Sequence, residues 1–565
     1  MNESAAKLFG DGADRTRDRS WFLRVVRWSF VAEAGGQITT VLVGTVLAVI
    51  VGPEGYGVMA MALSYVLLVE LVQRQGIVSA VIQRRHLDEA HASSAFWLVL
   101  ATSAVLTAAS VLLAGWWAEV NGVAELAQVI VVLSVLLPVK ALVVVQEALL
   151  RRDLAFRRVA LRTSVSVMVG GVAGVLFAWF EPTVWAFVVQ QLVAALTAVV
   201  LLWSVTRWRP RLRFSTAAVR DLFGFSAGSV VGSLGVFVNN RSDVVLMGLF
   251  FGPAAVGVYA VCARLADAVI GLALRPLQSM SLPELSPFQH RHEVFRTRLY
   301  RLDRLAASLG LPVLGVLGAC AVPLVLMLGP AWSGAAVPLQ LLVAVSAVRV
   351  VTGLNGPVLQ ALGRPHLSAA VTWVMATASA VAIGVTAAAM QSASLPEQVI
   401  GIALARLLCI GTLGVALHIV LLRRLLGIPV RATLARHVPA ATSAAAGFLS
   451  GSAIRTSTGL GDDLPALQLM VSGITAAGVA AVVLCILDRD LWSLMCRRVI
   501  GERPVPTAGP RRSGPDVQLG RHRSVPGRTR LGGSPGAGLR AARAGQAASK
   551  GRVAANLGDA DRSDR

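Results

Sequence analysis

The sequence predicts an all-α polytopic membrane protein of about fourteen transmembrane helices: two pseudo-symmetric six-helix lobes followed by two C-terminal helices. Three observations predict it. Of 565 residues, 55% are hydrophobic and only 15% charged, whereas soluble chains carry about 25% charged residues. Such a chain has too little polar surface to cover its apolar groups in water. Basic and acidic loops alternate along the chain, and a turn motif recurs at corresponding places in its two halves.

Residues 1–27 are expected to be a cytoplasmic N-terminal segment; residues 1–20 are polar, so the start does not read as a cleavable signal peptide. A bilayer core requires about 20 apolar residues per helix. Segments of that kind lie at 28–51, 57–82, 95–118, 126–149, 159–180 and 183–206, which make the N-lobe, 28–206. A basic inter-lobe loop, 207–221, leads to segments at 222–251, 256–281, 305–329, 334–362, 367–390 and 398–422, the C-lobe, 222–422. Segments 438–455 and 466–487 complete a C-terminal pair, 438–487. The seventh and tenth segments are long and glycine-rich, so bends are expected there. Residues 488–565 are expected to be a basic cytoplasmic tail. From 501 onward it carries thirteen basic and five acidic residues with no apolar period, a composition that predicts disorder.

Loop charge tests the segment count independently, because Lys and Arg collect on the cytoplasmic side. Alternate loops carry Arg84 and Arg85; Arg151, Arg152, Arg157 and Arg158; Arg207, Arg209, Arg211, Arg213 and Arg220; Arg291 to Arg304; Arg364; and Arg423, Arg424, Arg431 and Arg436. The intervening loops carry Glu54, Glu119, Glu125, Glu181, Glu397, Asp462 and Asp463, with Arg455 the one exception. A miscounted helix would break the alternation from that point on. Its persistence predicts a multi-pass cell-membrane protein with both termini cytoplasmic. The net charge of +22 is thus mainly a topology signal and does not point to nucleic acid. The five cysteines lie singly, without a CxxC pair, so neither zinc nor a disulfide framework is signalled.

The repeated turn reads Gly52-Pro53-Glu54-Gly55-Tyr56-Gly57-Val58-Met59-Ala60 and, two hundred residues on, Gly252-Pro253-Ala254-Ala255-Val256-Gly257-Val258-Tyr259-Ala260. Proline stops one helix, glycine permits the turn, and the next helix starts at once. An even number of segments separates the copies, so both halves have the same orientation. That suits two lobes related by an axis along the membrane normal, with a path between them.

Ionisable groups at membrane depth need water or a partner. Here they include Glu33, Glu70, Arg74, Lys140, Glu147, Arg241, Asp243, Arg264, Asp267, Arg349 and Arg406. Lys140 and Arg349 fall near segment centres. Asp243 follows Arg241 by two residues, and Asp267 follows Arg264 by three, which places that pair on one helix face. Some of these groups are expected to pair between helices. The six cations Arg74, Lys140, Arg241, Arg264, Arg349 and Arg406 nevertheless exceed the deep carboxylates, since Glu33 and Glu147 sit near cytoplasmic ends. A cationic cavity implies an anionic cargo, and the planar fork of arginine suits pyrophosphate. Two ways of resetting such a cavity stay open: H⁺ or Na⁺ binding at Glu70, Asp243 and Asp267, and a membrane potential acting on its cations.

Weaker signals have plainer explanations. His86 and His91 in His-Leu-Asp-Glu-Ala-His do not have the spacing of a zinc-binding helix and read as a solvated loop. His290, His292 and Glu293 open an Arg-rich stretch, to Arg304, with the pattern of an interfacial amphipathic helix. Trp21, Trp28, Trp116, Trp117 and Trp332 fall near segment ends, where an aromatic belt is expected. There is no Gly-Lys-Ser/Thr phosphate loop, and no cofactor is signalled.

Several runs carry a family resemblance: Val51 to Ala62, Ser79 to Arg84, Ala95-Phe96-Trp97, Leu149 to Arg158, Val184 to Gln191, Phe251 to Tyr259 and Leu362 to Pro365. Together, over residues 20–430, the chain resembles Wzx-type lipopolysaccharide and exopolysaccharide flippases of the multidrug/oligosaccharidyl-lipid/polysaccharide exporter superfamily. The resemblance implies a transporter, not an enzyme, moving an undecaprenyl-pyrophosphate-linked oligosaccharide to the outer leaflet. Its implied partners are that lipid-linked oligosaccharide, membrane lipids and other polysaccharide-assembly proteins. It carries no catalytic motif to transfer. A flippase of lipid-linked peptidoglycan precursors stays open on the same chemistry. An exporter of drug-like cations fits the deep positive charge poorly. A membrane polymerase or acyltransferase would need larger, catalytic outward loops than the short acidic ones here.

Overall fold

In a computed structural model, residues 19–74, 88–153, 155–216, 226–457 and 464–488 are described, without the side chains of 19–34, 72, 74, 156, 157, 160 and 226–230. Outside them lie residues 1–18, Arg84, Arg85, His86, Arg220, Asp462, Asp463 and the tail from 489. The described chain is helical, with no strand among the described residues. Helix α1 (Arg19–Arg74) is followed by α2 (Glu89–Val120), α3 (Ala124–Ser134), α4 (Leu136–Arg152), α5 (Phe156–Phe180) and α6 (Trp185–Val205). The second half holds α7 (Ser226–Phe251), α8 (Pro253–Ala273), α9 (Arg275–Leu285), α10 (His292–Ala319), α11 (Ala321–Leu328), α12 (Ala336–Thr352) and α13 (Asn355–Ala361). It continues with α14 (Pro365–Ala389), α15 (Leu395–Cys409), α16 (Val415–Leu426), α17 (Val430–Ala435), α18 (Val438–Ser457) and α19 (Pro465–Leu487).

Proline sets most of the breaks. It removes a donor and crowds the preceding turn, so a helix yields just before it. The chain breaks at Val135 ahead of Pro138, at Leu274 ahead of Pro276, at Cys320 ahead of Pro323, and between α12 and α13 ahead of Pro357. The tenth segment therefore bends as its glycines suggest. The seventh runs unbroken through its described residues as α7, because it holds no proline. Breaks in segments four, eight and nine were not expected from glycine content. A further irregularity, a π-turn at Ile410–Gly414, joins α15 to α16.

The two Gly-Pro turns have the same backbone. Gly52 has φ 82° and ψ 176°, and Gly252 has φ 80° and ψ −176°, a region closed to side chains other than glycine. Past them, the halves touch each other reciprocally. A Cβ on Gly57 would overlap the Pro253 carbonyl, and one on Gly257 would overlap the Pro53 carbonyl. Such i-to-j′ and j-to-i′ reciprocity is what a two-fold relation produces. It gives the sequence repeat a physical role, since the small residue of each copy admits the turn of the other. The contact continues along α8 at seven-residue intervals. Arg264 lies across Gly44 of α1, and Gly271 meets the Gln37 side chain.

Among the described residues, twelve stretches are long and apolar enough to cross a membrane. The fourteen sequence segments differ from that number in two places. Segments one and two fall in one continuous element, α1, bent at Gly52, and α18 is not among the twelve. Helix α18 is rich in Ala, Ser and Gly because it packs by close approach. Ser443 donates to the Ala480 carbonyl at 2.6 Å, Gly447 lies against Ala476 and Ala480, and Gly451 lies against Ala319 and Ala476. A Ser-xxx-Gly-xxx-Gly stripe suits helices whose association rests on packing in lipid.

Ion pairs fasten this C-terminal pair to α10. Asp303 meets Arg436 at 2.9 Å, and the Arg304 Nε donates to Asp488 at 2.9 Å. Burial holds the His437 imidazole below its usual range, and it hydrogen-bonds the Thr433 carbonyl at 2.8 Å. The Arg-rich stretch from Glu293 to Arg304 is thus no separate interfacial helix. It is the first half of α10, which runs straight on into the bundle.

A leucine at Gly447 should drive α18 from α19. We expect Gly447→Leu to cost about 1–3 kcal/mol, as overpacking does, read as a lower unfolding temperature in detergent. Thr442→Leu, on the exposed face of the same helix, should leave that temperature unchanged.

Candidate functional site

Four of the six sequence-selected cations have defined partners, and those partners differ in burial. Asp243 on α7 is paired with Arg406, in the last turn of α15, and both side chains are only 6% exposed. The Tyr259 hydroxyl donates to the same carboxylate at 2.7 Å, and the Val244 N–H donates to its other oxygen at 2.9 Å. Arg406 also donates to the Asn239 carbonyl at 3.1 Å. A charge this deep in low dielectric requires such saturation. Asp243 and Arg406 neutralise one another inside the second half. Arg241, two residues away, is exposed and has no partner among the described residues.

Arg349 and Asp267 form a different kind of pair. Arg349 Nη1 lies 2.5 Å from Asp267 Oδ1, with the side chains 30% and 47% exposed. Arg349 stands in the last turn of α12, and Asp267 about two turns before the break after α8. The two breaks adjoin. Leu274 packs against Gly353, and Gln278 Nε2 donates at 2.8 Å to the Gly353 carbonyl, which the broken helix leaves free. Ion and substrate sites in membrane transporters are typically built where helices break.

In the first half, Lys140 Nζ meets Glu70 Oε2 at 2.8 Å, 29% and 7% exposed. Gln73, one turn after Glu70, donates at 3.1 Å to the Leu137 carbonyl, while its own Oε1 is buried without a partner. That carbonyl belongs to the turn ahead of Lys140, so Gln73 fixes α1 against the start of α4. Glu147 pairs with Arg151 at 2.8 Å and Arg162 at 3.1 Å, farther along α4.

Arg264 meets no carboxylate among the described residues. It donates to the Thr40 carbonyl at 2.7 Å and to the Tyr56 hydroxyl at 3.0 Å, both across in the first half. Sequence spacing placed Arg264 with Asp267 on one face of α8. The structure sends Arg264 to α1 and Asp267 to α12, because Gly44 opens a slot for the guanidinium. Tyr56 packs edge-on against Phe187 at 5.3 Å and Trp332 at 6.2 Å. Trp332 is therefore a core residue, 1% exposed, rather than part of an aromatic belt. The Arg74 and Glu33 side chains lie outside the described residues.

Sequence reasoning selected the cations but missed Tyr259, Tyr56 and Gln278, which fix them. Tyr259 could have been found: it belongs to the repeated turn motif and is a hydroxyl in an apolar run. Gln278 gave no signal, since its importance arises only where two breaks meet.

A model for the family described as "Polysaccharide biosynthesis protein" matches residues 46–337. Among characterised relatives, the succinoglycan biosynthesis transport protein ExoT of Rhizobium meliloti is 27% identical over 367 residues, covering 64% of this chain and 74% of its own. The lipopolysaccharide biosynthesis protein WzxC of Escherichia coli is 25% identical over 357 residues, covering 60% and 70%. Among solved structures, the lipid II flippase MurJ in an inward closed conformation superimposes with a TM-score of 0.58 at 13% identity, covering 83% of this chain and all of that one. The likeness is one of fold.

Exposure ranks what the pairs are worth. Asp243→Asn strands a buried guanidinium and should cost about 3–5 kcal/mol, visible as a large fall in unfolding temperature. Asp267→Asn opens a pair that the protein leaves partly uncovered and should cost less than about 1 kcal/mol.

Proposed function

We propose that this chain, which belongs to the polysaccharide biosynthesis protein family, moves a polyprenyl-pyrophosphate-linked oligosaccharide from the cytoplasmic to the outer leaflet during cell-surface polysaccharide assembly. It is a transporter, not an enzyme. One observation carries the reading: in a bundle whose residues 46–337 match the family, both halves hold cations along apolar helices, and the two halves meet at reciprocal turns. The named relatives are a succinoglycan transport protein and a lipopolysaccharide biosynthesis protein, which supports a lipid-linked sugar as cargo.

In this reading the chain crosses the cell membrane fourteen times with both termini cytoplasmic, as two six-helix lobes and a C-terminal pair. Gly52 and Gly252 then lie at the outer face. The contact of Gly57 with Pro253 and of Gly257 with Pro53 closes that face, and Arg264 holds it from within. Release of cargo to the outer leaflet requires the lobes to part there. Arg349 and Arg241 of the C-lobe and Lys140 of the N-lobe, with Arg74, receive the pyrophosphate, while the polyprenyl chain stays in lipid. Arg406 is saturated by Asp243 and supports the site without entering it. Glu70 and Asp267 remain as the carboxylates for ion coupling. Proteins that build and polymerise the repeat unit are its working partners.

Deleting the gene should cause a lipid-linked oligosaccharide to accumulate on the inner leaflet, measured by leaflet-selective labelling. No accumulation would overturn the function. Arg349→Ala and Arg241→Ala should each fail to restore export at wild-type protein levels. If both restored it fully, the cation assignment would be wrong.

A further inference from the structure

We infer that Asp267 is a switch carboxylate: an anionic pyrophosphate taking Arg349 displaces it, and it turns to Arg264, loosening the grip of Arg264 on the opposite half. The inference rests on the proposed function for the identity of the cargo.

Three observations support it. The first is that Arg349 is held by a single contact. One of its five N–H donors meets Asp267, and no other partner occurs among the described residues. A one-point, partly exposed ion pair is weak. A pyrophosphate offers several oxygens, and arginine binds such groups two at a time, so the cargo outcompetes the carboxylate. The buried Arg406–Asp243 pair cannot exchange in this way, because Tyr259 and Asn239 complete it.

The second observation is where a released Asp267 can go. It stands three residues after Arg264 on α8, the spacing at which side chains on a helix meet. Arg264 currently donates to a carbonyl and a hydroxyl, both neutral. A carboxylate one turn away is a stronger acceptor than either.

The third is what Arg264 holds. Its partners Thr40 and Tyr56 belong to α1, and its guanidinium fills the slot over Gly44 in the contact between the halves. Turning Arg264 toward Asp267 removes two hydrogen bonds from that contact and leaves it to the Gly57 and Gly257 turns and to packing such as Gly271 on Gln37 and Tyr56 on Trp332. Cargo binding is thereby converted into separation at the outer face, as a ligand with differential affinity for two states must do.

The test uses full-length protein in nanodiscs with farnesyl pyrophosphate as probe. Asp267→Asn, which removes the competitor but keeps the side-chain shape, should bind the probe about fivefold tighter than wild type. Arg349→Ala should lose binding. With spin labels at Glu181 and Ser333, exposed in the two halves, the probe should lengthen the measured distance in wild type and not in Asp267→Asn. Equal or weaker binding by Asp267→Asn, no binding by either protein, or an unaltered distance response in the variant overturns the switch. The deletion experiment separates the two ideas. Accumulation of lipid-linked sugar with no effect of Asp267→Asn leaves the function standing and removes the switch. The reverse pattern leaves an anion-operated switch and removes the sugar cargo.

Discussion

Two backbone carbonyls set the geometry of this molecule. The Pro53 and Pro253 carbonyls each occupy the space where the glycine of the opposite turn would carry a side chain. Contacts of this closeness have no slack, because a single methyl group has nowhere to go. They fix the separation and the two-fold relation of the halves at one end, and everything along α1 and α8 follows from that point. Tyr56 then lands between Phe187 and Trp332, Arg264 lands over Gly44, and Gly271 lands on Gln37.

Electrostatics supplies the second level of order. In a low-dielectric bundle each charge must be paired, solvated or used, and the degree of exposure separates these fates. Asp243 and Arg406 are buried and saturated, so removing either partner strands the other. Arg349 and Asp267 are only partly covered by the protein and joined at one point. Lys140 and Glu70 lie between these extremes. The cationic excess that the sequence suggests is therefore smaller in the folded chain, because three of the five cations with described side chains meet carboxylates at close range. What distinguishes a binding group here is the exchangeability of its partner.

The helical architecture, the twofold turn motif and the charged positions were all legible in the sequence, because each rests on local composition or spacing. Pairing was not. Arg264 with Asp267 fits the spacing rule for one helix, yet the stronger determinant is an empty slot on another helix, and Gly44 carries no sign that an arginine will fill it. Breaks were partly legible. Pro138, Pro276, Pro323 and Pro357 each follow one, so the glycine content of segments seven and ten was the wrong guide for segment seven. Helix α18 resists a hydropathy count for the same reason that it packs well. Small residues lower apolar character while permitting close approach.

Helix α8 draws these threads together. Gly252 and Pro253 start it, and its Gly257, Arg264 and Gly271 recur every seven residues, two helical turns, as one stripe facing α1. Asp267 lies about 60° around the axis from Arg264 at the α-helical pitch, off the stripe and toward α12. Tyr259 faces the buried Asp243. One helix of 21 residues thus touches the opposite half along one face, a saturated ion pair with Tyr259 and an exchangeable one with Asp267. Because it is one unbroken helix between Gly252 and the break at Leu274, a change of partner at Asp267 reaches Arg264 within one turn. Nothing longer than that turn is needed to connect a charge in the candidate site with the contact between the halves.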